Sequence, residues 1–266
     1  MKPNSGSLFA QTFLSENGFS EITEIPMNLI VSGLGAILIE EPLKNADGLI
    51  IVGKKISIIK VNSDIHFETR KRFTIAHEIG HLLMHKDIDT HFENSNTLNW
   101  FNDTENQLRK GRQESEANEF AAELLMPERV FLSEATKSPF SPNLLRHLAD
   151  RFKTSITSTA FRYLNTNIYP ICIFFINNGR IKYWKKSTDF KAYCKDITKL
   201  NPPTDSVAQE YIDADYEFIY SNEEKAQEIS KSTWFELSDY EKDKKLFEYC
   251  IPIKEYKTII SIVWEG

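Results

Sequence analysis

The segment His77-Glu78-Ile79-Gly80-His81 constrains this chain more than any other. It has the pattern H-E-x-x-H and lies between apolar residues. Residues four positions apart share one face of a helix, so His77 and His81 can point at the same ion. Two neutral imidazoles at this spacing suit tetrahedral Zn²⁺, and Glu78 is close enough to act as general base on a water at the metal. The pentapeptide therefore predicts a helix that carries part of a catalytic zinc site.

The flanking sequence favours a helix. Residues 70–85 contain no proline and one glycine, and small or apolar residues recur along one stripe: Phe73, Ala76, Ile79, Gly80 and Leu83. Glycine in a helix interior costs on the order of 1 kcal/mol relative to alanine. Gly80 thus indicates that a backbone or a substrate approaches closely, or that it is a simple packing glycine. The alternative for the whole motif is a chance pattern in a helix with two structural histidines.

A catalytic zinc usually has three protein ligands, so a third is expected downstream. A second helix is predicted over residues 113–126, and it ends before Pro127. One face of it carries four residues at helical spacing: Glu114, Ala117, Asn118 and Ala121. The alanines permit close packing against the histidine helix. We predict Glu114 as the third ligand and Asn118 as a hydrogen-bond partner of a ligand.

Other candidates near this site receive different interpretations. Glu116 is the alternative third ligand, and otherwise it is solvated helix surface, like Glu119 and Glu123. His85 continues the series at four-residue spacing, but a fourth protein ligand would close the open metal position that catalysis requires. We therefore interpret His85 as a helix cap or a packing residue.

Together the two motifs resemble the ImmA/IrrE family of bacterial zinc metallopeptidases. The resemblance rests on residues 72–85 (RFTIAHEIGHLLMH) and on residues 114–127, which read E-x-x-A-N-x-F-A-x-x-L-L-M-P. It covers about residues 8–165 and continues more weakly to the terminal Trp264. It implies a gluzincin-like core of two helices, with His77, His81 and Glu114 binding Zn²⁺ and Glu78 acting as the base. Gluzincins often have an aspartate where this chain has Asn118, and an amide can orient an imidazole without contributing charge.

The resemblance also implies a narrow substrate. Family members cleave a helix-turn-helix transcriptional repressor, often encoded nearby, and cleavage derepresses stress or mobile-element genes. We therefore expect a zinc-dependent endopeptidase with a protein substrate of this kind. The alternative is a regulatory binding protein or a toxin–antitoxin component that acts through DNA or protein binding. The complete set of ligands and base argues against a purely binding role.

The rest of the first half predicts a small sheet beside these helices. Short β-branched segments at residues 36–40, 48–52 and 55–61 indicate strands, and helices are predicted over residues 8–17 and 27–34. A sheet in this position can hold a substrate backbone as an added strand. Between the two metal helices, residues 87–112 are polar and rich in asparagine, which is typical of either a lid or an inserted loop.

Residues 142–152 and 155–164 resemble a helix-turn-helix. Residues 132–166 carry five basic and two acidic side chains, while the whole chain has a net charge of -6. Residues 210–243 hold eleven acids and three lysines. Strong phosphate binding needs the opposite balance, so we favour a packing role for this helical pair and expect no direct DNA binding.

From about residue 169 the pattern predicts strands, a hairpin turn at residues 177–179, helices at 206–212 and 223–231, and closing strands at 246–253 and 256–264. The predicted fold class is α+β. It comprises a small sheet with the two-helix zinc peptidase core, a helical hairpin, and an α+β accessory domain. The predicted divisions are 1–130, 131–166 and 167–266.

Composition limits the cellular setting. No apolar run approaches the ~18 residues of a membrane span, and the first residues lack a signal-peptide pattern. The three cysteines, Cys172, Cys194 and Cys250, are scattered and odd in number. They are typical of reduced thiols, so we expect a cytoplasmic protein without a membrane partner.

Overall fold

The structure is a computed structural model, and it describes residues 5–85, 90–93, 109–194, 197–220 and 226–266. The chain divides into two compact units. The first comprises Met1–Glu134 with Leu148–Ser158, and the second comprises Ala135–His147 with Thr159–Gly266. The three-part division at residues 130 and 166 stays a prediction.

Helices dominate the first 166 residues. They are α1 (Ser5–Glu16), α2 (Met27–Gly33), α3 (Glu68–Met84), α4 (Arg109–Leu125), α5 (Glu128–Ala135), α6 (Pro142–Phe152) and α7 (Ile156–Thr166). The histidine helix and the helix with Glu114 are therefore confirmed as α3 and α4. The predicted helices at residues 8–17 and 27–34 are confirmed as α1 and α2, although α1 begins three residues earlier.

The first unit contains one small sheet. Its strands are β1 (Ala36–Glu41), β2 (Gly48–Ile51), β3 (Ser57–Asn62) and β4 (Thr90–Glu93), in the order β1-β3-β2-β4. β1 runs parallel to β3, and the other pairs are antiparallel. The three strands expected before α3 are confirmed. β4 lies in the stretch predicted to be a lid or an insertion, and residues 86–89 and 94–108 of that region lie outside the described residues.

The sheet and the helices bury a common core. The Ile50, Ile59 and Val61 side chains of the sheet are fully buried, in a cluster that also contains Ala76 and Ile79 of α3. Burial of an Ile or Val side chain contributes roughly 1.5–3 kcal/mol each. This packing holds one face of α3 against the sheet. Another face of α3 is left to contact α4.

Two glycines allow α4 to approach its neighbours closely. A Cβ atom at Gly80 of α3 would lie 3.2 Å from the Cα of Ala117 on α4. A Cβ atom at Gly6 of α1 would overlap the carbonyl oxygen of Glu116 on the same helix. The prediction that a backbone approaches closely at Gly80 is confirmed. α1 and α3 therefore each approach α4 at a position where the helix carries a glycine and no side chain intervenes.

The interpretation of Glu123 as solvated surface is wrong. Its side chain is buried, with 1% relative exposure. It accepts hydrogen bonds from the Gln11 side chain at 3.1 Å and from the backbone N–H of Glu128 at 3.0 Å. The carboxylate thus binds an N–H group at the start of α5, where a helix leaves donors without intrahelical partners.

The second unit is built on an antiparallel sheet of five strands. The strands of this unit are β5 (Ile171–Asn177), β6 (Arg180–Lys186), β7 (Tyr193–Cys194), β8 (Gln227–Ser230), β9 (Phe235–Glu236), β10 (Lys245–Ile253) and β11 (Thr258–Trp264). The five-stranded sheet has the order β6-β5-β11-β10-β8, while β7 and β9 form a separate pair. Two short helices accompany them, α8 (Val207–Asp213) and α9 (Lys231–Trp234). Asn178 and Gly179 both have positive φ angles, so the predicted hairpin turn between β5 and β6 is confirmed.

The helix predicted over residues 223–231 is wrong at residues 226–230, while Lys231 begins α9. Residues 227–230 form β8, which pairs with β10 so that Leu246 lies opposite Ile229. Four residues have little helical preference of their own, and the exposed edge of β10 offers them backbone partners. Residues 221–225 lie outside the described part of the chain. The predicted fold class, α+β with small sheets, is confirmed.

Within the described residues, no helix combines the length and the apolar character that crossing a membrane requires.

The contact between α1 and α4 generates a test of the packing. Gly6→Ala places a methyl group against the Glu116 carbonyl, so we expect a loss of about 1–3 kcal/mol in the free energy of unfolding. Gly33→Ala is the matched control because nothing lies within 4 Å of its added Cβ. We expect that control to leave stability unchanged or to raise it slightly. Urea titration of both variants measures the difference, and equal stability would contradict the close contact.

Candidate metal centre

The centre lies on a fully enclosed segment of α3. Ten consecutive residues, from Arg72 to His81, are buried. A helix on the surface of a protein buries one stripe, whereas this segment has the sheet on one side and α4 on another. Polar side chains here are therefore removed from water, and each needs a partner or a ligand.

The structure brings the three residues predicted as ligands together. The Nε2 atoms of His77 and His81 are 3.0 Å apart. The Glu114 carboxylate of α4 lies 3.4 Å from His77 Nε2 and 3.7 Å from His81 Nε2. One donor atom from each residue lies within 4.8 Å of the others.

These separations fit a metal ion of zinc size. Donor atoms about 2.0–2.1 Å from a tetrahedral ion lie about 3.3–3.4 Å from one another. The observed distances of 3.0, 3.4 and 3.7 Å bracket that value. Two imidazole nitrogens and one carboxylate oxygen also leave a fourth position, which matches the donor set of catalytic zinc sites.

Asn118 holds the first histidine. Its Oδ1 atom lies 2.8 Å from Nδ1 of His77. The amide oxygen accepts the Nδ1–H, which leaves the Nε2 lone pair directed at the Glu114 carboxylate and at His81. Sequence reasoning proposed this contact, since Asn118 follows Glu114 by one helical turn.

The second histidine contacts His85, which in turn contacts Glu116. Neither role was predicted from the sequence. His81 Nδ1 lies 2.9 Å from His85 Nδ1, and His85 Nε2 lies 3.1 Å from Glu116 Oε2. His85 is buried. It therefore connects a predicted ligand histidine to a carboxylate, so the interpretation of Glu116 as solvated surface is wrong. The structure places Glu114, and not Glu116, beside the two histidines. The four-residue spacing of His81 and His85 is the sequence signal that could have predicted their contact.

This chain of contacts assigns the protons. The Glu116 carboxylate accepts hydrogen bonds from His85, from the Ser5 hydroxyl at 2.9 Å and from Arg112 Nε at 3.1 Å. Burial raises the pKa of Glu116, but these bonds outweigh burial and leave the pKa below its usual value. An ionised carboxylate only accepts, so His85 Nε2 bears the proton and His85 Nδ1 accepts from His81 Nδ1–H. The Nε2 lone pair of His81 is thereby left for a metal.

Glu78 lies on the sheet side of α3. Its side chain is fully buried, and a Cβ atom added to Gly48 of β2 would lie 2.7 Å from its Oε1 atom and 2.5 Å from Thr74 Cγ2. Asp47, directly before Gly48, accepts a hydrogen bond from Arg70 Nε at 3.0 Å. The start of β2 is thus attached to the first half of α3, and it leaves just enough space for the Glu78 carboxylate.

A family model for the IrrE N-terminal-like domain, Peptidase_M78, matches residues 32–164, which is half of the chain. The chain belongs to the Peptidase_M78 family. The matched region of this M78 protein contains His77, His81 and Glu114, and it extends through most of α7. Membership bears out the resemblance to ImmA/IrrE proteins and supports a metallopeptidase-type function with a metal cofactor.

One solved structure extends the comparison to nearly the whole M78 protein. A Mycobacterium tuberculosis transcriptional regulator matches with a TM-score of 0.59 and 13% sequence identity, covering 98% of this chain and 75% of that one. At this identity the match speaks for the fold alone. No curated protein matches the chain significantly.

The contact between His85 and Glu116 generates a test of the metal centre. Glu116→Ala removes the acceptor that orients His85, so we expect metal affinity to fall by about 10–100-fold. Glu116→Gln retains an acceptor oxygen, and we expect it to recover most of this loss. Competition with a chromophoric chelator measures both affinities.

Ser5→Ala is the matched control, since it removes a different hydrogen bond of the same carboxylate. We expect its metal affinity to stay within about twofold of the starting protein, because the bond from His85 remains. Equal affinities for Glu116→Ala and Ser5→Ala would contradict an orienting role for Glu116.

Proposed function

We propose that this protein is a zinc-dependent endopeptidase that hydrolyses a peptide bond in a specific protein. The observation that carries the proposal is the convergence of His77, His81 and Glu114, with Glu78 buried next to His77 on the same helix. Family membership supports the same reaction class. Imidazole and carboxylate donors with a position left for water favour Zn²⁺ over Mg²⁺ or Ca²⁺, which prefer oxygen ligands alone.

A zinc ion bound to these three residues would supply Lewis acidity toward a substrate carbonyl and the attacking water. Glu78 contributes the proton transfers. Its carboxylate accepts a proton from water as the water oxygen forms a bond to the carbonyl carbon. It then delivers that proton to the amide nitrogen as the C–N bond breaks, so the carboxylate is regenerated. The residue acts first as a base and then as an acid.

The remaining residues position these groups. Asn118 and His85 fix the orientation of the two imidazoles through their Nδ1 atoms. Gly48 has no side chain, and the Glu78 carboxylate lies where a Cβ atom of that residue would interfere with it. A positioned base is effective because its geometry is already set before the substrate arrives. We expect small displacements of Glu78 to reduce the rate more than they reduce metal binding.

The proposed substrate is a helix-turn-helix transcriptional repressor encoded nearby, whose cleavage derepresses stress or mobile-element genes. The resemblance to ImmA/IrrE proteins supports this substrate class. Co-incubation of the protein and Zn²⁺ with the product of an adjacent repressor gene tests it directly, with mass spectrometry to identify the fragments. If the repressor stays intact, this repressor is not the substrate and a different protein must be.

The second candidate is a regulator that binds DNA through α6 and α7. The fold similarity to a protein named a transcriptional regulator favours it. Burial argues against it, since Asn165 is the one exposed residue of α7. A recognition helix must present several side chains to base edges in the major groove. We therefore propose a packing role for this helical pair and no direct DNA contact.

The role of Glu78 can be separated from metal binding. We expect Glu78→Gln to lose hydrolysis of the cognate repressor by about 10²-fold or more because an amide accepts no proton at neutral pH. Its zinc content should stay at one ion per chain, by metal analysis. Glu114→Ala is the comparison variant, and we expect it to lose zinc as well as activity. Cleavage by Glu78→Gln would show that another residue is the base.

Gly48 offers a second test, which leaves every ligand in place. Gly48→Ala pushes a methyl group into the space of the Glu78 carboxylate, so we expect a fall in kcat of about tenfold or more. Zinc content should be unchanged. Gly33→Ala is the matched control, because its added Cβ meets nothing within 4 Å and Gly33 lies in α2. Gly35→Ala is not used because Gly35 has a positive φ angle. Equal kcat values for Gly48→Ala and Gly33→Ala would contradict the placement of Glu78.

A further inference from the structure

Two of the three cysteines face each other in the core of the second unit. Cys172 lies on β5 of the five-stranded sheet, and Cys194 lies on β7 of the two-stranded sheet. Their Sγ atoms are 3.9 Å apart. Both belong to one buried cluster, which also contains Phe190 and Phe235. The two thiols are therefore held at contact distance by elements that are distant in the sheet topology.

The strand register places the third cysteine too far from Cys172 for a bridge between them. Cys172 lies opposite Val263 of β11, and Val263 lies opposite Glu248 of β10. Cys250 is thus two strands away and two residues further along. Strands lie about 4.8 Å apart, so the Cα atoms of Cys172 and Cys250 are separated by about 10 Å or more. A disulfide spans at most about 7 Å between Cα atoms.

The two paired thiols differ in reactivity. Cys194 retains 6% relative exposure, whereas Cys172 has none. A hydrogen bond from Cys172 lowers the pKa of Cys194, with a further contribution from the charge of Lys186. Burial raises the pKa of Cys172. Cys194 is therefore the more acidic and the more accessible of the two thiols.

We propose that Cys172 and Cys194 form a reversible disulfide when the protein is exposed to a hydroperoxide. The Cys194 thiolate attacks one peroxide oxygen, the O–O bond breaks, and hydroxide leaves, which gives a sulfenic acid. The Cys172 sulfur then attacks the Cys194 sulfur, and the S–OH bond breaks to release water. In total, two thiols and one hydrogen peroxide give one disulfide and two waters. A dithiol reductant reverses the modification by thiol–disulfide exchange.

The bridge would join β7 covalently to β5. It would therefore tie the small β7–β9 pair to the five-stranded sheet, and the chain between residues 172 and 194 would become a closed loop. Closed loops restrict the unfolded chain, so the oxidised protein should unfold at a higher urea concentration than the reduced protein. This modification is independent of hydrolysis and of metal binding.

Thiol counting on the full chain tests the proposal. The reduced protein is exposed to excess hydrogen peroxide, denatured, and labelled with N-ethylmaleimide, and its intact mass is measured. We expect three labels before oxidation and one afterwards, and peptide mapping without reductant should yield one linked peptide with Cys172 and Cys194. Dithiothreitol should restore three labels. Three labels after oxidation, a bridge that includes Cys250, or a bridge between two chains would overturn the proposal.

Matched variants localise the effect. Cys250→Ala keeps the pair, so its labels should fall from two to none on oxidation. Cys194→Ala removes one partner, so both of its labels should persist. A Cys194→Ala protein that still loses two labels would overturn the assignment. The peptide map of the unaltered chain decides the matter on its own should a variant fail to fold.

Discussion

The close approach of α3 and α4 is the contact on which the candidate metal centre depends. At Gly80 the backbone of α4 lies so near that an added methyl group would touch the Cα of Ala117. Glu114 lies three residues before Ala117, one turn along the same helix, so the spacing between the helices sets how far its carboxylate reaches. The distances of 3.4 and 3.7 Å to the two histidines follow from that spacing. A wider separation would leave two buried imidazoles without their third partner.

Helix packing brings the histidines together, and hydrogen bonds to their Nδ1 atoms orient the imidazole rings. Buried polar groups are costly without partners, and here each Nδ1 atom of the two candidate ligand histidines has one. The two partners differ in kind, since His77 contacts a neutral amide while His81 is connected through His85 to a carboxylate. Ser5 and Arg112 also donate hydrogen bonds to the Glu116 carboxylate. The two imidazoles therefore lie in unequal electrostatic surroundings, although they share one helix face.

Much of this site was predictable from local sequence. The spacing of His77 and His81 predicts a common helix face, and the small residues at 117 and 121 single out the face of α4 that carries Glu114. Asn118 followed from the same helical turn. Glu116 was not predictable in this way, because it lies on a different side of α4 and contacts Ser5, more than a hundred residues away. Its role depends on how three helices meet.

The same limit applies to the fold. Strands with β-branched residues and the Asn-Gly turn have local signals, and those elements were found. Residues 227–230 lack such a signal, and their strand forms because β10 has an edge to which they can bind. The burial of Glu123 likewise depends on Gln11 of α1 and the start of α5. Long-range partners, and not local preference, decide these cases.

The hydrogen bond between Ser5 and Glu116 connects the first helix of the chain to the metal centre. α1 docks on α4 through Gly6 and contacts the carboxylate that orients His85. Docking of α1 and metal affinity are therefore thermodynamically linked, and linkage is reciprocal. A bound metal holds α1 in place by the same free energy with which docked α1 strengthens the metal site. The protection of the amino-terminal helix from proteases and hydrogen exchange should accordingly rise when metal binds.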